Sequence, residues 1–306
     1  MATGFSRSVS LPNSNPPSCS GRSGKFFHVR STSLPCRSHP LVSQIEDELR
    51  ACRIWRWSTE PQSAAGLCAG MIRLELLHLA LGDLLQLPQT RDALRRSTGG
   101  PSSLSESLLE DFLMFADAYG SFRSALVSLQ ELQLAAQVAV RRRDKACLAS
   151  VARSLRKAEK EIASLSSTLS KVSKSADLAL AAAWSGSSAE DAELAGIFTE
   201  VKAVTVSVST AVFQATAASL ASTMTSVASK SSASWTALKR RLALTSSSMK
   251  RMNSSEGTDK EEAWARTASE KLDGLEEGII GLESGSERVF RALMNTRVSL
   301  LNIMTP

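Results

Sequence analysis

From residue 41 onward proline occurs at only Pro61, Pro88, Pro101 and Pro306, and across that span apolar residues recur at intervals of three and four. This spacing gathers them on one face of a 3.6-residue helix and would scatter them over both faces of a strand, so the body of the chain is helical. Several of the periodic runs extend for about 35 to 45 residues, or about 50 to 65 Å at 1.5 Å per residue, too long to bury a stripe inside a round domain. Rods of this length cover their stripes by lying side by side, and rods joined by short loops run antiparallel.

Two shorter helices come first. Leu41 to Trp57 forms one, bounded by Pro40, and Met71 to Leu87 forms the next, with Leu74, Leu77, Leu81 and Leu84 on one stripe before Pro88 stops it. A capping box, Ser103-x-x-Glu106, then opens a long helix carrying Leu108, Phe112, Phe115, Tyr119, Phe122, Leu126 and Leu129. A second long helix has Leu148, Val151, Leu155, Ala158, Ile162, Leu165, Leu169 and Val172. The third starts near Ser187-x-x-Glu190 and runs through Leu194, Ile197, Val201, Val204 and Val208. The fourth starts near Thr258-x-x-Glu261 and carries Leu272, Leu275, Ile279, Leu282, Val289, Leu293, Leu300 and Ile303, interrupted by Ser286 and Thr296.

The expected fold is therefore all-α: an elongated antiparallel bundle of four long helices, coiled-coil-like in its packing, with two shorter N-terminal helices packed on it. Residues 41–306 form the bundle domain, and within it 229–257, rich in serine, reads as a loose linker with a short helix around Trp235 to Leu242. At Arg141-Arg142-Arg143-Asp144 there is no glycine or proline, which leaves a continuous rod open, although the stripe changes phase at Asp144, a residue suited to capping a new helix. Residues 203–229 are uncharged for 27 positions, but 12 of them are Ser, Thr or Gln, a density that fits a helix inside the bundle better than a membrane span.

Lys and Arg exceed Asp and Glu by 36 to 30. That excess sits at the front, where residues 1–45 hold Arg7, Arg22, Lys25, Arg30 and Arg37 and no acid. With a nearly neutral body, nucleic acid is not an expected partner, and membrane contact is at most peripheral, through runs such as Arg141–Arg143 and Lys239–Arg241.

Residues 1–40 contain ten serines and five prolines, a composition that cannot offset the entropy of ordering, and read as a disordered tail. Within it Arg7-Ser8-Val9-Ser10-Leu11-Pro12 recurs as Arg30-Ser31-Thr32-Ser33-Leu34-Pro35. The repeat is similar to the R-S-x-S-x-P pattern that 14-3-3 proteins read once the second serine is phosphorylated, which makes Ser10 and Ser33 the candidate phosphosites, with Arg7, Pro12, Arg30 and Pro35 as their flanking determinants. Separated by 23 residues, the sites span about 25 to 30 Å in a flexible chain, so that both can engage one dimeric reader. An acid-free, Ser- and Arg-rich start also fits a plastid transit peptide, whose removal would delete one or both hexapeptides. The cytoplasm is the favoured compartment and the plastid the alternative.

Known catalytic signatures are lacking: there is no H-E-x-x-H, G-x-S-x-G, Walker loop or G-x-G-x-x-G, and the three histidines are His28, His39 and His78. His78 reads as a partly exposed helix residue, and the acid pair Glu276 and Glu277 as solvated. Cys19, Cys36, Cys52, Cys68 and Cys147 are odd in number and widely spaced, which argues against a disulfide framework and against a zinc site and fits an intracellular compartment. No catalytic residue, metal or cofactor is assigned.

Several segments together resemble the plant BYPASS family. They are Phe27-His28-Val29-Arg30-Ser31-Thr32-Ser33-Leu34-Pro35 with Arg37 and His39-Pro40-Leu41, then Asp83-Leu84-Leu85-Gln86-Leu87-Pro88-Gln89-Thr90, the Arg141–Arg143 run, and the ending Val289-Phe290-Arg291-Ala292-Leu293-Met294-Asn295-Thr296-Arg297-Val298-Ser299-Leu300-Leu301-Asn302-Ile303. The chain departs from the family pattern in lacking a glycine turn after its arginine run. What the resemblance implies is a role in root and shoot development, in restraint of a mobile root-derived growth-inhibiting signal, and no reaction. The leading expectation is a non-catalytic helical interaction protein with protein partners. The alternatives are an enzyme or small-ligand carrier with a site between helices, and a peripheral membrane-associated adaptor.

Overall fold

Proline and the residue before it set the first boundaries. In the computed structural model, which describes residues 39–57, 63–96, 104–183, 189–244 and 255–305, α1 spans Pro40–Trp57 with the proline at its first position. The carbonyl of His39 accepts the amides of Val42 and Ser43, and its Nδ1 accepts that of Leu41 at 3.2 Å. Helix α2, Ala64–Gln86, begins two turns before the expected Met71, because Leu67 already lies on the buried stripe and Ser63 Oγ caps the first turn by accepting the Gly66 amide at 3.0 Å. It ends where Leu87, ahead of Pro88, is held extended at φ −66° and ψ 132°. Pro88 then starts a helix that the sequence reading lacks, α3, Pro88–Arg96, whose Arg95 Nε donates to the Ile303 carbonyl at 2.9 Å in the last turn of the chain.

Four long helices follow: α4 (Leu104–Arg142), α5 (Lys145–Ala183), α6 (Ala189–Leu244) and α7 (Ser255–Met304). All seven elements are helices and no strand occurs among the described residues, so the chain is all-α. Where a linker is expected from residue 229, α6 continues to Leu244; residues 229–244 contain neither Gly nor Pro, and serine alone costs a helix only about 0.5 kcal/mol per residue. Helix α7 starts at Ser255, so Thr258 lies inside its first turn, while Ser103 and Ser187 fall outside the described residues.

Helices α4 and α5 are separate. Arg143 sits in the left-handed region at φ 53°. The Arg143 and Asp144 amides turn back to the carbonyls of Val140 and Ala139, and Asp144 Oδ1 accepts the amides of Ala146 and Cys147. This is a Schellman stop followed at once by an N-cap, with arginine in the position that favours glycine. Arg143→Gly is expected to stabilise the protein by about 1 kcal/mol, since the exposed Arg143–Glu262 pair that it removes contributes little. The denaturation midpoint in urea should rise; an unchanged or lower midpoint refutes the reading of this turn.

Helix α4 packs along α5 and α7, α5 along α6, and α2 against both α7 and α6, with α1 laid on α2 and α6. Contacts Arg123–Glu287, Gln133–Glu276 and Arg143–Glu262 make α4 antiparallel to α7, while Asp111–Lys202 and Tyr119–Ser209 make it parallel to α6. Helix α2 is not an outer addition. It runs parallel to α7 and stands between α7 and α6, which touch each other sparsely. Its burial follows from composition: Leu67, Met71, Leu74, Leu77, Leu81, Leu84 and Leu85 leave it only one narrow exposed face. Close approach is possible because α7 presents Gly278, Gly281 and Gly285 to Ala64, Cys68 and Met71; a Cβ at Gly285 would stand 2.6 Å from Met71 Sδ.

Two stretches, Ala64–Gln86 and Ala192–Thr223, are long and apolar enough to cross a membrane. About half of each stretch is buried against neighbouring helices, and Ile72, Leu76 and Leu79 of the first stay exposed.

Candidate functional site

A charge on an apolar stripe must find a partner inside the fold. Asp111 lies among Leu108, Phe112 and Phe115 on α4, and Lys202 among Val201, Val204 and Val208 on α6; their side chains, 8% and 7% exposed, meet at 2.5 Å. Burial raises the Asp111 carboxyl against the opposing pull of the Lys202 ammonium. Next to this pair the His78 ring meets Phe112 edge-on at 5.7 Å, and its Nε2 lies 3.1 Å from Thr205 Oγ1. Because the Thr205 hydroxyl donates to the Val201 carbonyl, Nε2–H is the donor and Nδ1, buried without a hydrogen-bond partner, carries no proton. Further along α4 and α6 the Tyr119 and Ser209 hydroxyls pair at 3.0 Å, beside the ring of Phe213.

These side chains make a polar string through the centre of α2, α4 and α6. Burial alone depresses His78 to a pKa of about 3, and burial, opposed by the Ser209 hydrogen bond, pushes the Tyr119 hydroxyl well above its ordinary value. As a base the imidazole is poor at neutral pH, and the hydroxyl beside it already donates to its own helix. Apart from Nδ1 of His78, the string is filled by its own partners. His78, read from sequence as partly exposed, is 1% exposed because α2 is interior. Glu276, read as solvated, is half-buried and accepts from Gln133 and Gln137, whereas Glu277 is exposed. Ser286 and Thr296, the interruptions of the α7 stripe, are buried and donate to the carbonyls of Glu283 and Ala292.

The depressed His78 titrates below its unfolded value of about 6.5, so folding favours the neutral ring: its contribution is complete above that pH and is lost as pH falls toward 3. Urea denaturation at pH 7 and pH 4.5 is expected to show a loss of about 3 kcal/mol. Asp111, raised by burial, works in the opposite direction at lower pH, so the diagnostic is the difference from His78→Leu, which should be nearly flat over the interval. Equal slopes in the two proteins would refute the assignment.

A cleft of about 300 Å³ opens between α6 and α7, below the first turn of α2. Leu129, Leu220, Leu275 and Ile279 floor it, and Ser219, Ser222, Gly274 and Lys271 line its walls and mouth. A smaller one, about 180 Å³, lies between α1 and α6 beside Cys52, whose thiol burial pushes up to about 12, and Trp57. No member of the polar string lines either cavity. Among the described residues no group of three His, Cys, Asp or Glu could hold a metal ion. The sequence-derived candidates Arg7, Ser10, Pro12, Arg30, Ser33 and Pro35 all lie outside the described residues. Sequence reasoning missed Asp111 and Lys202, although each is a charge set within an apolar stripe.

Neither a curated protein nor a solved structure matches the chain. The family model described as Protein BPS1 matches residues 70–303, from the second turn of α2 to the last turn of α7, and so takes in the α6 and α7 walls of the cleft and the polar string but not the tail signature. With well over half of its length matched, the chain belongs to the BPS1 (BYPASS) family.

Proposed function

We propose that the protein is a non-catalytic helical interaction protein in plant developmental signalling, acting in root and shoot development by restraining a mobile root-derived signal. Family membership fits the developmental role. The non-catalytic part is supported by one observation: the interior polar groups Asp111, Lys202, His78, Thr205, Tyr119 and Ser209 pair with one another and line neither of the two cavities described among these residues. A polar interior that serves catalysis needs a place for a reacting atom beside its base and nucleophile. On the outside, Ile72, Leu76 and Leu79 stand exposed in a row on α2, a surface of the type that protein partners cover.

The test replaces the string by apolar residues of similar volume. Asp111→Leu/Lys202→Met/Tyr119→Phe, checked for helix content and cooperative unfolding, is expected to restore root and shoot growth in a plant lacking the gene as well as the parent does. A folded triple variant that fails to restore growth would sink the non-catalytic reading.

The tail is the second contact of this proposal, with phosphorylated Ser10 and Ser33 docking a 14-3-3 dimer in the cytoplasm. Ser10→Ala with Ser33→Ala should abolish 14-3-3 capture, and the intact mass of protein from plant tissue should show the tail retained and phosphorylated. A mature chain starting beyond about residue 30 would instead place the bundle in a plastid.

A further inference from the structure

We propose that the cleft at the foot of α2 binds a small, neutral, mostly apolar molecule that carries a hydroxyl or carbonyl group. This inference stands apart from the adaptor reading and survives its failure.

The cleft has a structural origin. Helix α2 separates α6 from α7 and runs parallel to α7, with Ala64 at the level of Gly278, Cys68 at Gly281 and Met71 at Gly285. Toward the N-terminus of α7 from Gly278 there is no more α2 to stand between them, and the gap opens there as a partly enclosed space of about 300 Å³. Voids in native interiors rarely exceed a water molecule, and this volume falls at the small end of the range for ligand pockets.

Gly274 adds an independent observation. A glycine inside a helix costs about 1 kcal/mol relative to alanine. At Gly281 and Gly285 that cost has a return, since a Cβ would collide with Cys68 and Met71. At Gly274, an exposed residue that lines the cleft, a Cβ would meet nothing within 4 Å. Close packing explains the first two glycines; no packing contact explains Gly274, which borders the cleft.

The lining fixes the ligand class. Leu67, Leu129, Leu220, Leu275, Ile279 and Leu282 supply an apolar floor. Along the α6 wall, Thr216 donates to the carbonyl of Val212 and so offers only oxygen lone pairs, while the exposed hydroxyls of Ser219 and Ser222 can donate as well as accept. Lys271 is the cation at the mouth, but Glu270 and Glu277, both exposed, flank Gly274 on the same helix, so the surroundings do not favour an anion.

The probe is N-phenyl-1-naphthylamine, a neutral apolar fluorophore, titrated into the full chain. Saturable one-site binding with a blue shift is expected, and 1-decanol should displace the probe at least fivefold better than decanoate. Gly274→Phe, which adds a large side chain at the border of the cleft, should weaken binding at least tenfold with helix content and melting temperature preserved. Gly196→Phe, a position on α6 that also meets open space but does not line the cleft, should bind as the parent does. Unsaturable binding, parent-like affinity in Gly274→Phe, equal losses in both variants, or better displacement by decanoate would each overturn the proposal.

Discussion

Lys202→Met is expected to destabilise the protein by about 3 to 5 kcal/mol, while the double variant Asp111→Leu/Lys202→Met should fall within about 1 kcal/mol of the parent or above it. Both side chains are more than nine-tenths buried, so solvent does little to screen either charge. The pair's mutual attraction is offset by the cost of stripping water from both ions, and its net value is small. Removing one partner leaves the other ion's desolvation uncompensated; removing both leaves an apolar stripe that continues Leu108 and Phe112 on α4 and Val201 on α6. Urea unfolding of the four proteins of the cycle measures this directly. The pH dependence supplies a second readout. In Lys202→Met the stranded Asp111 escapes its penalty by binding a proton, so its folded pKa lies above its unfolded one and the variant should regain stability, relative to the parent, as pH falls from 7 toward 5. If the single variant loses less than about 1 kcal/mol, the pair is not a buried ion pair, and the polar string loses its principal member.

How much of this was legible beforehand depended on whether a feature is local. The stripes of α4, α5 and α7 were readable because each repeats its own signal over many turns, and Asp144 was readable as a cap because the stripe changes phase beside it. Pro88 reads as a stop for α2, although proline serves equally well at the first position of a helix and here starts α3. The interior position of α2 is not legible because a stripe of leucines does not say how many neighbours a helix has; Gly278, Gly281 and Gly285 on α7, more than 190 residues away, decide it. The same distance hid the site. Asp111 and Lys202 are each legible as a misplaced charge, yet that they meet follows only from the parallel alignment of α4 and α6. The cleft was not legible at all, since it exists where one helix ends between two others.

Gly70→Ala and Gly82→Ala, the same substitution on the same helix, are expected to have opposite signs. Both remove a glycine from the interior of α2 and should gain about 1 kcal/mol of helix propensity. At Gly82 a Cβ meets nothing within 4 Å, so that gain is expressed. At Gly70 the Cβ would fall inside the indole ring of Trp55, against three ring carbons. Trp55 is 8% exposed and its Nε1 donates to the Gly66 carbonyl at 2.8 Å, one turn away, so the ring packs against Gly66 and Gly70 and clasps α1 to α2. The ring cannot slide without giving up that hydrogen bond, and expelling it exposes about 150 to 250 Å² of apolar surface at about 25 cal/mol per Å². Gly70→Ala should therefore cost about 3 kcal/mol net and release the C-terminal half of α1, seen as faster hydrogen exchange in residues 51–57. Trp55→Leu is the deciding background: the ring is gone, the methyl has room, and Gly70→Ala should become neutral or stabilising there. A cost that persists in Trp55→Leu would place the obstacle somewhere other than the indole, and a Gly70→Ala as benign as Gly82→Ala would mean that α1 is not held by this clasp.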